Sequence, residues 1–390
     1  GGQKSGHTKT LHNLWQGGGG PQFEMIEAAR RLQDLEGCPK VEYTSADAFV
    51  QKLEAAAPTL PVYDGELYLE LHRGTLTAKQ QIKKNNRMAE NLLRMLELCL
   101  TRSAVATHTP ADGTALRPLW NTLLVNQFHD ILPGSCIAAA NDRSLHDMAE
   151  MLHTGSELLR SWFAPAQNCY TVLNPLDEPC RDVFYLPQIA SGFIAQEPGV
   201  TLQNVVLADG TAATAVYGLE RPALGAAVLH FVPGKQPAQT SRFVYDGKTL
   251  TTPLLQVQLD ELGRITSLVT RADGMQWADG PMNTLLMAED VSAGWDGWDI
   301  DADCMMKLQP AARLTKQTVT ADGPQEFRLH SRYELGTATI LEQDMIFRAE
   351  STLVEWQTVL HWNEKHRVLK AAFPTKTPTS HGWRYATCTD

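Results

Sequence analysis

Apolar and polar positions change rhythm twice along the chain. Up to about residue 65, Phe23, Ile26, Ala29 and Leu32 recur near helical spacing and predict a helix. Lys40, Val41, Glu42 and Tyr43 read as a short strand, and Ser45 is placed to cap a second helix over residues 45–57. Strands alternating with helices are the rhythm of an α/β unit, and about sixty residues cannot close such a sheet alone. Residues 1–65 are therefore expected to be the end of a larger α/β domain.

From 66 to 165 the pattern turns helical. Thr77 is placed to cap a helix carrying Ile82, Ala89, Leu92, Leu93, Leu96 and Leu100 as one apolar stripe. A Pro/Gly/Thr-rich break over residues 107–118 ends it. A second helix is expected over 119–132, stopped by Pro133 and Gly134. Ser135 is placed to cap a third, with Leu145, Met148, Leu152, Leu159 and Trp162 on one side. Three helices with short connections predict a three-helix bundle. From 166 to 390 the period becomes two. Residues 255–259 alternate, Gly263 sits at a hairpin turn and residues 265–269 return. Further strands are expected at 200–207, 327–334, 337–347, 352–362 and 368–373, so the region reads as an antiparallel β-sandwich. The fold class expected is multidomain α+β, without a solenoid or propeller repeat.

Charge and cysteine usage narrow the partners. With 34 basic and 44 acidic residues the net charge is −10, which argues against nucleic acid, whose binding needs a basic footprint, and weakly against an anionic membrane surface. No run of about 18 apolar residues predicts a spanning helix. Seven scattered cysteines without C-x-x-C spacing fit a reducing cytoplasm better than a disulfide framework. The start lacks an apolar leader and an initiating Met and the end lacks a closing strand, so a processed start or a piece of a longer chain is expected.

The most informative chemistry lies between Trp120 and Ser135. On a helix Asn126 and His129 share a face, with Thr122 one or two turns earlier and Asp130 adjoining. Burying that polar group would cost a few kcal/mol unless it were satisfied, and a metal ion or a polyol would satisfy it. A helix-end histidine bonded to a carboxylate is the other reading. His72 follows an alternating stretch, Glu66 to Leu71, and could face a site with Tyr68 and Glu70 or stand on an exposed strand face. Residues 295–301 carry Trp295, Trp298 and the carboxylates of Asp296, Asp299 and Asp301. They could form a sugar platform or a turn with packed tryptophans. The Gly17–Gly20 run lacks the sequence context of a phosphate loop, and no nucleophile elbow is present.

The segment Asn126-Gln127-Phe128-His129-Asp130-Ile131-Leu132-Pro133-Gly134-Ser135 resembles the signature of glycoside hydrolase family 38, the retaining zinc α-mannosidases. Gly17 to Pro21 resembles the tail of that family's glycine loop. Glu66 to Thr77 resembles the link from barrel to bundle, and Trp295 to Ile300 and His361 to Pro374 resemble the β region of its cytosolic and bacterial type. The resemblance implies that residues 1–65 are the end of the α/β catalytic barrel, that His129 is a zinc ligand, and that Asp130 bonds substrate hydroxyls. It implies zinc on the 2- and 3-hydroxyls of a terminal α-D-mannosyl residue, with one carboxylate as nucleophile and another as acid and then base. The family's His-x-Asp pair and its nucleophile lie upstream of the glycine loop, and the 16 residues before it here contain neither. The acid/base position reads Gln16, which cannot deliver a proton. The expectation is an incomplete α-mannosidase fragment, inactive alone, acting as a whole on α-mannoside oligosaccharides in the cytoplasm. The alternative is a non-catalytic carbohydrate-binding or scaffold protein on the same fold. A homo-oligomer is left open.

Overall fold

The computed structural model describes residues 22–63, 70–163, 168–236 and 239–376. Gln16, the glycine loop, the Glu66–Leu69 alternation and the last residues lie outside them. The chain divides into two units, residues 1–69 and 70–390.

In the first unit the expected helices form as α1 (Phe23–Arg31) and α2 (Ala46–Ala56). Ser45 caps α2, its Oγ accepting from the Ala48 N–H at 3.2 Å. The expected strand at 40–43 does not form. A strand exists only against a partner, and among the described residues of this unit none is a strand. Tyr43 instead donates its hydroxyl to the Ile26 carbonyl at 3.1 Å.

The second unit begins with three helices, α3 (Gln80–Thr107), α4 (Arg117–Asn126) and α5 (Ala138–Ser161). Their stripes meet in one core of Ala89, Leu93, Leu96, Leu119, Leu123 and Met148. Gly155 lets α5 approach α3, since a Cβ there would sit 2.8 Å from Leu92 Cδ2. Two expected caps are corrected. Thr77 does not cap α3, whose N-cap is the left-handed Lys79 (φ 53°). Ser135 does not cap α5, whose N-cap is Ile137. Trp162 is 37% exposed and lies off the core stripe.

The remainder is antiparallel sheet. Leu255–Leu259 and Ile265–Thr270 form the expected hairpin across Gly263 (φ +72°). They belong to a four-stranded sheet that packs on a second one made of Ala312–Asp322, Glu326–Leu335, Thr339–Arg348 and Val354–His361. Leu250, Val257, Ile265, Phe327, Leu329 and Phe347 fill the space between. Two three-stranded sheets, holding Cys169–Asn174 and Thr201–Val206 among their strands, share a core of Leu202, Val216, Leu229 and Phe231. A last sheet pairs Thr284–Glu289 with Arg367–Ala372.

The strand Glu326–Leu335 is buried on both faces. Phe327, Leu329 and Tyr333 face apolar cores. The other face carries Glu326, Arg328, His330 and Arg332, and Glu326 and Arg328 are fully buried there. Arg328 donates to Glu326, to Asp344 at 2.9 Å and to Gln357 at 3.1 Å. His330 Nδ1 lies 2.7 Å from the carboxylate of the directly opposite Asp344. Tyr185 and Tyr217, from the neighbouring small sheet, donate their hydroxyls to Glu326. A charged strand face thus joins two sheets.

Candidate functional site

Helix α4 stops at Asn126, six residues before the expected end, and residues 127–134 turn back in short loops. Side-chain competition explains it. Asn126 returns its amide to the Thr122 carbonyl at 2.8 Å, and Gln127 donates to Asn86 at 3.1 Å and Glu90 at 3.0 Å across on α3. Lys83 donates to the Leu132 carbonyl at 2.9 Å. Gly134 adopts φ +82°, and a Cβ there would stand 2.6 Å from the Ala78 carbonyl oxygen. The hairpin is therefore pinned to α3 at both ends.

His129 and Asp130 project from this hairpin. Their side chains are 75% and 46% exposed, and His129 Nε2 lies 3.5 Å from Asp130 Oδ2. The Phe128 and His129 rings are 4.3 Å apart. The expectation of a buried cluster with Asn126 and Thr122 is corrected. Asn126 is 4% exposed and satisfied by its own helix, and Thr122 bonds the Pro118 carbonyl. The structure brings Asp130 to His129 and leaves the other two apart.

Elsewhere the structure joins two segments that the sequence left separate. The Gly74 N–H donates to the Trp298 carbonyl at 2.9 Å, and the His72 ring meets the Trp298 indole edge-on at 4.9 Å. Trp298 is the packed tryptophan of its turn. Trp295 is not: at φ 59° and 82% exposure its indole stands in solvent, while its carbonyl accepts from the Trp298 N–H at 2.8 Å.

Beyond this loop an open cleft of about 340 Å³ lies where Thr284–Glu289 and Arg367–Ala372 end. Asp290, Asp296 and Glu364 line it with carboxylates, Lys365, His366 and Arg367 with nitrogen, and Trp362 with an indole. Burial, with repulsion from Asp296 and Asp301, pushes the Asp290 carboxyl up. Glu364 is held low by the N–H groups of Ala338 and Thr337. The sequence reading missed this cleft, because its charges come from two segments about seventy residues apart in a sheet whose register no local pattern encodes. It also missed the exposed group His146, Asp147 and Glu150 on α5, whose ligand atoms lie within 4.8 Å of one another. Arg143 already holds Asp147 at 2.8 Å there.

Residues 70–164 match the α-mannosidase middle domain, and residues 250–386 match the glycosyl hydrolases family 38 C-terminal domain. A helical unit carrying the His129 hairpin, followed by these sheets, therefore places the chain among the glycoside hydrolases. It belongs to glycoside hydrolase family 38 and corresponds to the C-terminal portion of its α-mannosidases. It is 29% identical over 396 residues to human alpha-mannosidase 2C1, covering 97% of this chain and 36% of that protein. With the mouse alpha-mannosidase 2C1 it shares 28%, over 96% of this chain and 35% of that one. The chain thus spans about a third of the length of these relatives. Its fold is similar to the crystal structure of an alpha-mannosidase from Enterococcus faecalis V583, with a TM-score of 0.59 and 13% identity, over 92% of this chain and 51% of that one.

Proposed function

We propose that the chain is the C-terminal part of a zinc-dependent retaining α-mannosidase that removes terminal α-D-mannosyl residues from oligosaccharides. The observation that carries this is the His129–Asp130 pair, held outward on a hairpin pinned to α3. An exposed imidazole beside a carboxylate fits a zinc donor set, which needs about three protein ligands when catalytic. His129 would be one of them, and Asp130 would orient it and accept substrate hydroxyls. When bound, zinc would act as a Lewis acid toward the sugar's 2- and 3-hydroxyls. The other ligands and both reacting carboxylates are assigned to the region that precedes this segment in longer relatives. Gln16, aligned with the acid/base position, cannot donate a proton, so that carboxylate too is assigned to the preceding region. In the first unit only Ala29 is buried among the described residues, while Phe23 and Val50 are exposed, which supports residues 1–65 as the edge of an α/β barrel. The six described cysteines are free, and no described helix is long and apolar enough to cross a membrane. The free cysteines accord with the cytoplasmic reading.

An aryl α-mannoside assay tests this with the 390-residue chain alone and with the same chain joined to the upstream part of its own gene product. The chain alone is expected to give no turnover. The joined protein is expected to hydrolyse the substrate and to lose at least about 100-fold in kcat/KM on His129→Ala, as removal of a metal ligand does. Zinc-dependent turnover by the chain alone, or an unaffected His129→Ala enzyme, would overturn the proposal.

A further inference from the structure

We infer that the cleft between the 290–301 loop and the 362–367 turn is a binding site for a neutral hexose unit of an oligosaccharide. The cleft sets three carboxylates beside Lys365 and Arg367, none of them joined in an ion pair among the described residues, with His366 drawing on Asp290. Among the described residues the side chains of Asp290, Asp296, Lys365 and Arg367 form no hydrogen bond and no ion pair with the rest of the chain. Hydroxyl groups answer both halves of that set, because each donates to a carboxylate and accepts from an ammonium or guanidinium. Asp290 is half-buried and repelled by Asp296 and Asp301, with only His366 drawing it the other way, so donors from a hydroxyl would suit it.

The other ligand classes fit less well. Three carboxylates against Lys365 and Arg367 leave no net positive field for a phosphate. A divalent cation needs several oxygen ligands on one centre. Among the described residues, the one group of three whose ligand atoms converge within 4.8 Å is His146, Asp147 and Glu150 on α5, not the cleft. An apolar ligand would want apolar walls, whereas the one aromatic lining residue here is Trp362, half-buried and packed on the core beneath. Indole faces complement the C–H face of a sugar ring while hydrogen-bonding groups hold its rim. Trp295, one residue before Asp296, is exposed but does not itself line the cleft. At about 340 Å³ the cleft falls at the small end of the roughly 300–1,000 Å³ range of ligand sites.

This inference rests on the mannosidase reading only for the choice of mannose as probe. The experiment is a titration of the 390-residue chain with methyl α-D-mannoside and an α-linked mannobiose, followed by NMR at the indole N–H signals. Saturable binding in the millimolar range is expected, with shifts at Trp362. Asp290→Asn and Asp296→Ala, both solvent-accessible changes, are expected each to weaken it about 10-fold, equivalent to about 1.4 kcal/mol, with melting temperatures kept. No saturation by about 50 mM sugar overturns the inference. So does binding that both variants leave intact, or binding that only His129→Ala removes. Hydrolysis reports on the proposed catalytic role and this titration on the cleft, so either can fail while the other stands.

Discussion

Arg328 shows how a single residue can hold two sheets. Its guanidinium, Glu326 and Asp344 are each at 0% side-chain exposure. Removing one member of such a buried set leaves its partners charged and uncompensated, which costs about 3–5 kcal/mol. Arg328→Leu is therefore expected to lower the unfolding free energy by that amount in urea titrations. Arg313→Leu, which breaks the surface pair with Glu334, is expected to cost under about 1 kcal/mol. Equal effects would show that burial does not govern the network. At the opposite extreme, His129→Ala is expected to change stability by no more than about 0.5 kcal/mol, since its side chain is 75% exposed, so any loss of activity in the joined protein can be assigned to the site. The proposed ligand His129 stood out in the sequence because its neighbours form a dense, recognisable string. Arg328 was not. A strand reading Glu-Phe-Arg-Leu-His-Ser-Arg alternates as a strand with one wet face would, and nothing local says that a second sheet covers the charges.

At the scale of elements, helices and hairpins were read well where propensity and burial agree. The α3 stripe, the Ser45 cap and the 255–270 hairpin are of this kind. Errors fell where tertiary partners decide an end. Helix α4 stops early because Gln127 has Asn86 and Glu90 to bond, two residues some forty positions upstream. The turn that follows depends on Gly134. Gly134→Ala is expected to cost at least about 1–2 kcal/mol for the left-handed backbone alone, more with the clash against Ala78. It should also loosen the hairpin, measurable as faster amide exchange over residues 127–134, and unchanged exchange would detach the hairpin's order from that contact. The 336–338 turn answers to pH instead. The carboxylate of Glu364 accepts from the N–H groups of Thr337 at 2.7 Å and Ala338 at 3.0 Å, which lowers its pKa. A depressed carboxylate stabilises fully above its unfolded value, about 4.3, and the contribution fades as pH falls through the folded value. The Thr337 and Ala338 amide signals are thus expected to hold steady at neutral pH and to shift together only as pH falls below about 4.3. Glu364→Gln should abolish that shift.

For the whole molecule, the order of helices and then sheets was legible because the period of the apolar pattern changes from about 3.6 to 2 near residue 166. The pairing of sheets was not, since it rests on contacts more than a hundred residues apart, such as Tyr185 and Tyr217 with Glu326. Those two phenols carry a consequence of their own. Burial and then the Glu326 charge push both hydroxyls up from their ordinary value near 10. In the unfolded chain they would ionise near pH 10. The stabilisation they give is complete below that pH and is lost as pH rises toward the folded values. They are thus a built-in optical gauge: in an ultraviolet titration the exposed ones among the nine tyrosines should turn to tyrosinate gradually, while this pair, together with the buried Tyr333, should colour late and abruptly, at the pH where the sheets part.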